Sequence, residues 1–436
     1  VKNRRIGDPV RFVYDKNINQ DLLSFLLQRM EMDSYDSLIP GGRYHNKKDY
    51  IKFPNIGDRK LEFDALPPLD HPDLDMDRSI LQAIQRRDIL LFLPYHHFSY
   101  FIRFIREAAI DPKVKSISAT LYRLAGQSRV VSALVNAAKN GKEVTVLIEL
   151  QARFDEAANI KWSEKLQTEG VLVIFGVSGL KVHSKMLLIT RKDGDKTERY
   201  ASIGTGNFNE STAKLYTDYH LLTAHPGITK DVEKVMDFLQ HNYRVHRYRH
   251  LLVSPHYTRK SFRSLINNEI EQAQKGLPAS IQIKLNSLSD VKLMEKLYEA
   301  SSYGVKIQLI VRGICSLIPG VKGMSANIEA ISILDRFLEH SRLFIFENGG
   351  QPKYFIGSAD WMPRNLDYRV EVATPIYAQH IQQQLQGPFD IWWKDNVKSR
   401  FHTVNLDNPC RKLKVPKIRA QYALHDYVKK QLKQAT

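Results

Sequence analysis

The chain has 436 residues, 43% of them apolar and 25% charged, which is typical of folded proteins and excludes a disordered or fibrous chain. Its formal net charge of +17 predicts an anionic partner: nucleic acid, a membrane surface, a nucleotide or another polyanion. Cys315 and Cys410 are its only cysteines, which excludes a disulfide scaffold and favours a reducing compartment. The longest apolar run, residues 89–95, is too short to cross a bilayer.

The positive charge is concentrated near the end of the chain. Residues 393–436 contain 11 Lys and Arg against 3 Asp and Glu, a net charge of +8, so the other residues carry only +9. Three explanations stay open for this basic tail: guidance of a polymer, contact with a membrane surface, and solubility.

The length predicts about three domains, and Pro- and Asp-rich segments suggest where they divide. We expect boundaries near residues 69 and 250, which divide the chain into residues 1–69, 70–250 and 251–436. No secretory leader precedes Val1, and we expect the chain to be part of a longer protein.

Between the predicted boundaries, strands and helices alternate. The pattern predicts a strand over 114–121, a helix over 129–140 with Ser128 as its N-cap and Gly141 at its end, and a strand over 144–150. A helix over 156–169 and strands over 171–175, near 185–190 and over 199–203 follow. This order predicts an α/β fold with a mostly parallel sheet and flanking helices.

The third segment repeats the motifs of the second in the same order. His183 and Lys185 stand two residues apart, as do His340 and Arg342. Each pair is followed by a glycine and a small hydroxyl residue, in Gly-Thr-Gly-Asn at 204–207 and Gly-Ser-Ala-Asp at 357–360. The histidine and the first glycine are 21 residues apart in the first copy and 17 in the second. Two copies in one order predict a duplicated domain.

These residue types suit chemistry on a phosphoryl group. Residues two apart in an extended segment share a face, so each histidine would lie beside a cation. The imidazole can attack phosphorus while the cation holds the non-bridging oxygens. The glycine segments could cradle an oxyanion or fix a histidine tautomer. Any single one of the 15 histidines is more often structural, and only the paired context singles out His183 and His340.

Arginines at predicted strand ends point to the same chemistry. Arg123, Arg153 and Arg312 each follow a strand, where ligands bind in α/β sheets, and three guanidinium groups there describe a site of polyphosphate size. The common nucleotide-binding loops and the protein-kinase catalytic loop are missing from the sequence. No carboxylate cluster has metal-ligand spacing, so we expect any Mg²⁺ to arrive on the phosphates.

The paired pattern resembles the phospholipase D superfamily, and longer strings resemble the polyphosphate kinase family. Those strings are VLIELQARFDE at 146–156, GLKVHSK at 179–185, IGTGNFN at 203–209, LYTDY at 215–219, VRGICSL at 311–317, EHSR at 339–342 and SADWM at 358–362. The resemblance covers essentially the whole chain. Where the wider superfamily has Asp seven residues after the histidine, this chain has Thr190 and Glu347, and Arg342 and Asp360 replace Lys and Asn. These departures disfavour a phosphodiester hydrolase.

The resemblance implies a fold, a reaction and roles for individual residues. The fold would be the end of a head domain over residues 1–69, then two tandem phospholipase D-like α/β catalytic domains over 70–250 and 251–436, the second ending in the basic tail. His183 would be the nucleophile that takes the terminal phosphate of ATP and passes it reversibly to polyphosphate. His340 would contact phosphate or act as general acid. The remaining expected residues bind nucleotide and phosphate: Tyr216, Arg312, Lys185 and Arg342, with Arg123 and Arg153 clamping phosphates near Mg²⁺.

The resemblance also implies partners and a location. We expect ATP, ADP and inorganic polyphosphate as ligands, no nucleic acid, a homo-oligomer, and a cytoplasmic protein that could touch the inner face of the membrane peripherally. A residue that helps to hold the nucleotide base is expected in the preceding part of the family's chain, so we expect weakened or no synthesis by these residues alone. Two alternatives stay open: a phospholipase D-like phosphodiesterase or nuclease, and a non-catalytic polyanion-binding protein.

Overall fold

The computed structural model describes residues 11–33, 36–44, 50, 53–75, 77–149, 156–411 and 416–435. The chain divides into two compact units, Val1–Ala65 and Leu66–Thr436. Within the described residues, no helix is long and apolar enough to span a membrane.

The strands are β1 Arg11–Asp15, β2 Ser37–Gly41, β3 Ile89–Leu93, β4 Val114–Leu121, β5 Glu143–Ile148, β6 Leu172–Phe175, β7 Lys181–Val182, β8 Lys185–Asp193, β9 Lys196–Gly204, β10 Tyr216–Thr223, β11 Leu252–Val253, β12 Ser280–Leu285, β13 Lys306–Val311, β14 Ile328–Ile333, β15 Leu338–Glu339, β16 Leu343–Phe346, β17 Lys353–Gly357, β18 Arg369–Val370, β19 Val372–Ile376 and β20 Ser399–Phe401.

The α-helices are α1 Gln20–Arg29, α2 Ile80–Arg86, α3 Ser99–Ile110, α4 Arg129–Lys139, α5 Glu156–Thr168, α6 Pro226–Gln240, α7 Thr258–Gln274, α8 Val291–Ser302, α9 Pro363–Asp367, α10 Gln379–Trp393 and α11 Ala420–Ala435. Short 3₁₀ turns lie at Arg59–Leu61, Thr212–Lys214 and Asn348–Gly350.

The smaller unit is built from β1, β2 and α1. The two strands pair in parallel, from Arg11 opposite Ser37 to Asp15 opposite Gly41. The connection between them contains α1, whose first turn is capped by the Asn19 side chain, which accepts the Asp21 N–H at 2.8 Å. A crossover helix is the usual way to join parallel strands.

The larger unit contains two eight-stranded sheets of matching design. The first runs β15-β10-β9-β8-β4-β5-β6, with β3 added to β10. The second runs β11-β19-β17-β16-β12-β13-β14-β20. In each sheet, a hairpin follows the histidine motif and pairs with an earlier strand. The hairpin β8-β9 pairs with β4 in the first sheet, and β16-β17 pairs with β12 in the second. The tandem α/β class predicted from the repeat is therefore confirmed.

The first crossover helix, α4, is bounded by the capping residues that the sequence predicts. The Ser128 hydroxyl accepts the Val131 N–H at 3.2 Å and begins α4, and Gly141 just after the helix has a φ of +75°. A positive φ is favourable for glycine and ends helices. Strand β5 then pairs in parallel with β4 and buries most of its side chains.

The prediction of a mostly parallel sheet is wrong. Among the described strands, only β4-β5-β6 and β12-β13-β14 form parallel runs of three. The hairpins β8-β9 and β16-β17 make the rest of both sheets mainly antiparallel. The turn between Asp193 and Lys196 is too short for a crossover, so its strands must run in opposite directions. The first hairpin is also longer than the second, which explains the spacings of 21 and 17 residues between histidine and glycine.

The two sheets share an apolar core. One buried cluster contains Phe92 and Tyr219 from the first sheet, Ile345 and Ile356 from the second, and Trp392 from α10. The aromatic rings of Phe92 and Tyr219 stack at 4.6 Å between centroids. The shared core holds the two halves of the larger unit face to face, so residues from both can meet at one site.

Candidate active site

His183 is positioned by a strand pair that joins the two halves. It follows β7, which pairs in parallel with β18, and its N–H donates to the Val370 carbonyl at 3.0 Å. The same pairing brings Glu371, the residue after β18, to 2.9 Å from His183 Nδ1. The candidate nucleophile and its carboxylate partner therefore come from opposite halves.

His340 repeats this arrangement with the halves exchanged. It follows β15, which pairs in parallel with β10 at Tyr216 and Thr217. The Thr217 hydroxyl accepts the His340 N–H at 3.2 Å, and the next residue, Asp218, lies 2.9 Å from His340 Nδ1. Each histidine is thus oriented by a carboxylate that the other half supplies, as an approximate twofold arrangement requires.

The two glycine segments hold these carboxylates. The Thr205 hydroxyl donates to Asp218 at 2.6 Å, and the Ser358 hydroxyl donates to Glu371. A side chain at Gly206 would overlap the Asp218 carboxyl group, so only glycine fits there. The glycine segments therefore hold the carboxylates that face the histidine rings, an arrangement that can fix the histidine tautomers.

Burial keeps His183 neutral. Desolvation lowers its pKa well below the usual value, and Lys185, Arg369 and Arg342 lower it further. Because a carboxylate only accepts hydrogen bonds, Nδ1 of the neutral ring carries the proton and donates it to Glu371. The Nε2 lone pair is then available, and no hydrogen bond to His183 Nε2 occurs among the described residues.

Two buried cations accompany the histidines. The Lys185 ammonium bonds the His183 carbonyl and lies 5.0 Å from the Tyr122 ring centre, and burial lowers its pKa well below the usual value. Arg342 forms an ion pair with Asp360 at 3.2 Å and donates from Nη1 to the His340 carbonyl at 2.8 Å. Glu371 opposes this lowering at Lys185, and an entering phosphate would favour the charged ammonium further. The phosphate would also meet the charge of Arg342, which little water screens.

Tyr216 and Arg312 lie at His340. The Tyr216 ring is 5.2 Å from the His340 ring. Arg312, at the end of β13, donates from Nε to the Glu339 carbonyl at 2.8 Å and from Nη2 to Asn286 Oδ1 at 2.8 Å. These contacts place both residues beside the second histidine, where the sequence predicted a nucleotide and phosphate site.

Arg123 lies on the His183 side of the site. Its guanidinium is 5.8 Å from the centre of the Tyr122 ring, and that ring meets the His183 ring edge-on at 4.8 Å. The predicted phosphate clamp at Arg153 lies outside the described residues.

The pKa of each histidine, His183 and His340, is influenced by a cation from the other half. Burial lowers the pKa of His340, which Asp218 opposes, and Arg342 and Lys185 add to the lowering. Lys185 belongs to the first half and acts on His340, while Arg342 belongs to the second and acts on His183. The residues expected at one site therefore influence one another.

Sequence reasoning missed Glu371, Arg369, Asn286 and the role of Asp218. Asp218 stands inside the string LYTDY, which offered a signal. Glu371 offered none, because it is 188 residues from His183 and no local pattern marks the pairing. Arg369 meets the site only through the pairing of β18 with β7.

The described residues do not suit a protein-held metal ion. Across residues 77–149 and 156–411, no group of three or more His, Cys, Asp or Glu side chains could hold one. The carboxylates at the site are each occupied by a histidine, a hydroxyl or an arginine.

Three family models match consecutive parts of the chain. Residues 1–53 match the polyphosphate kinase middle domain, 79–245 match polyphosphate kinase C-terminal domain 1, and 251–421 match polyphosphate kinase C-terminal domain 2. Together these models cover most of the sequence.

Whole-chain comparisons give the same family. Polyphosphate kinases of Salmonella typhimurium and Escherichia coli K12 are both 48% identical over 436 residues, 98% of this chain and 63% of theirs. The crystal structure of polyphosphate kinase from Porphyromonas gingivalis superposes with a TM-score of 0.84 at 36% identity, over 97% of this chain and 65% of that one. The chain thus spans about 63% of the length of these curated relatives.

Proposed function

The chain belongs to the polyphosphate kinase family, and we propose that it carries the phosphotransfer centre of such an enzyme. In this proposal the terminal phosphate of ATP moves reversibly to inorganic polyphosphate through a phosphohistidine at His183. Residues 70–250 form the domain that supplies the nucleophile, and 251–436 the domain that supplies its carboxylate. A cytoplasmic homo-oligomer is part of the same proposal, supported by family membership.

The observation that carries the proposal is the buried pair of His183 and Glu371. A neutral imidazole with its Nδ1 proton on a carboxylate presents an Nε2 lone pair to phosphorus. As the Nε2–P bond forms and the P–O bond to ADP breaks, the ring becomes cationic, and the Glu371 charge stabilises it. Ser358 and Asn365 donate to the same carboxylate and hold it in place.

The second step reverses the first with a different acceptor. A terminal oxygen of polyphosphate attacks phosphorus, the Nε2–P bond breaks, and His183 returns to its neutral form without exchanging the Nδ1 proton. Because no proton needs to leave the ring, the same groups can serve the reaction in both directions. Charge on the phosphoryl oxygens is stabilised by Lys185 and Arg342.

His340 is better suited to contacting phosphate than to donating a proton in the free enzyme. Burial lowers its pKa, and Arg342 Nη1 lies 3.2 Å from its Nε2. The negative charge of bound ATP would raise this pKa, so a general-acid role requires the nucleotide. Tyr216 and Arg312 would hold the nucleotide on this side.

We propose that Mg²⁺ travels with the phosphates of ATP. The described residues provide no cluster of metal ligands. Arg123 and Arg153 are expected to clamp phosphates and not the ion, since a guanidinium stays protonated.

The test uses the full-length enzyme incubated with γ-labelled ATP. We expect acid-labile, alkali-stable label on the wild-type protein and none on His183→Ala. His241→Gln is the matched control and should label normally, because His241 is a half-buried histidine that bonds Asp237. Label that survives His183→Ala, or hydrolysis of a phosphodiester by the wild-type enzyme, would overturn the proposal.

A further inference from the structure

A second concentration of positive charge lies outside the candidate active site. A depression of about 500 Å³ runs along the first turns of α7. Its cationic lining consists of His256, Arg259, Lys260, Arg263 and Lys292, and no Asp or Glu lines it. We call this depression the cationic groove. A concave surface with one sign of charge focuses the electrostatic potential on an anionic ligand.

Three of these cations are available to a ligand. Arg259 is already bound to Asp290 and Asp367, with hydrogen bonds of 2.8 and 2.7 Å. Lys260, Arg263 and Lys292 are exposed and form no ion pair within 4.0 Å among the described residues. Arg263 lies one turn beyond Lys260 on the same face of α7, and Lys292 extends from α8, which packs beside it.

A short segment links the groove to His183. Asp367 binds Arg259 in the groove wall, and Glu371, four residues later, binds His183. Four residues of extended chain span at most about 14 Å. Between them, Tyr368 lines a cavity of about 630 Å³ together with Lys181, two residues before His183. The backbone of Asp367 in the groove wall therefore lies within about 14 Å of that of Glu371, a distance that a chain of a few phosphates can bridge.

We infer that the cationic groove binds the trailing part of the polyphosphate chain whose end reacts at His183. This inference rests on the proposed function. The lining has no Phe, Tyr or Trp on which bases could stack, as single-stranded nucleic acid sites commonly have. It also lacks the large apolar side chains with which proteins enter a membrane surface. An unbranched chain of phosphates needs neither, only cations and hydrogen-bond donors such as Ser264 and Asn267.

Salt dependence gives the groove a measurable signature. A protein that binds a phosphate chain releases counterions from it, so its affinity falls as salt rises. The slope of log affinity against log salt becomes shallower by about 0.7 for each phosphate contact removed, as for single-stranded nucleic acid. Replacing three cations should therefore make the salt dependence of polymer binding shallower by about 2.

The experiment measures binding of long-chain polyphosphate to full-length His183→Ala protein, which cannot consume the polymer. Adding Lys260→Ser, Arg263→Ser and Lys292→Ser should weaken binding about tenfold and reduce the salt slope by about 2. The matched control replaces the exposed lysines Lys115, Lys192 and Lys275 by serine and should bind as the parent does. Lys275 lies at the far end of α7, about 18 Å along the helix from Arg263.

A second arm uses the otherwise wild-type enzyme in the direction of ATP synthesis. The groove variant should raise the KM for long-chain polyphosphate about tenfold and leave the KM for ADP unchanged. Unchanged affinity and salt slope in the groove variant would overturn the inference. So would a single-stranded oligonucleotide that binds the parent more tightly than polyphosphate and depends more strongly on the groove.

The two proposals fail separately. If ATP never labels His183 in the wild-type enzyme, the proposed function is wrong, while polymer binding to His183→Ala still decides whether the groove is a polyphosphate site. If labelling is normal and the groove variant binds polymer as the parent does, only the groove inference is wrong.

Discussion

Replacing Glu371 by glutamine removes one negative charge beside His183 and keeps the shape of the side chain. The carboxyl group is fully buried and accepts hydrogen bonds from His183, Ser358 and Asn365. In the proposed reaction His183 becomes cationic when it is phosphorylated, so the charge of Glu371 acts more strongly on the intermediate than on the free enzyme. The substitution should therefore slow phosphorylation more than it weakens ATP binding.

The expected size follows from the lost interaction. A hydrogen bond to a charged group contributes about 1.5–3 kcal/mol. At about 1.4 kcal/mol for each factor of ten, the rate of His183 phosphorylation should fall by about 10- to 150-fold. The KM for ATP should change by less than about twofold, because Glu371 lies on the far side of the imidazole from Nε2.

Rapid-quench labelling with γ-labelled ATP measures this rate in a single turnover. Glu269→Gln is the matched control, because Glu269 is also a buried carboxylate of the second half but accepts from Ser280 and Asn348 and contacts neither histidine. A Glu371→Gln enzyme that phosphorylates His183 within about twofold of the wild-type rate would refute the reasoning.

Three further predictions concern other residues. Asp218→Asn should lower kcat/KM for ATP about tenfold in steady-state assays, because His340 loses the carboxylate that orients it. Gly206→Ala should destabilise the fold by about 1–3 kcal/mol in thermal unfolding and lower kcat/KM as well, because the new methyl group displaces Asp218. Burial raises the pKa of Glu269 to about 7, so the folded state binds more protons than the unfolded state and stability should fall as the pH rises from about 4.5 to 7. Denaturant titrations should show this slope in the wild-type protein and not in Glu269→Gln.

The sequence identified the histidine and cation pairs because each lies within one short string. His183 with Lys185, and His340 with Arg342, are two residues apart, and each pair lies where one strand ends and the next begins. The repeat in chain order was enough to predict the tandem α/β architecture. Their catalytic roles stay predictions.

The carboxylate partners of the two histidines could not be predicted, because they depend on contacts between distant segments. The Glu371–His183 and Asp218–His340 pairs join residues 188 and 122 positions apart, through short pairings of β18 with β7 and β10 with β15. The mostly parallel sheet was mispredicted because an apolar strand such as Lys185–Asp193 looks alike in a hairpin and in a crossover. The length of the turn that follows such a strand decides whether the next strand runs parallel or antiparallel to it.

The position of the phosphate on the imidazole ring tests the central claim most directly. Nδ1 of His183 is occupied by Glu371 at 2.9 Å, so phosphate should attach to Nε2. ³¹P NMR of the alkali-denatured phosphoenzyme distinguishes the two linkages, and peptide mapping gives the residue. The account predicts Nε2-phosphohistidine at His183. Phosphate on Nδ1, or on a different residue, would contradict it.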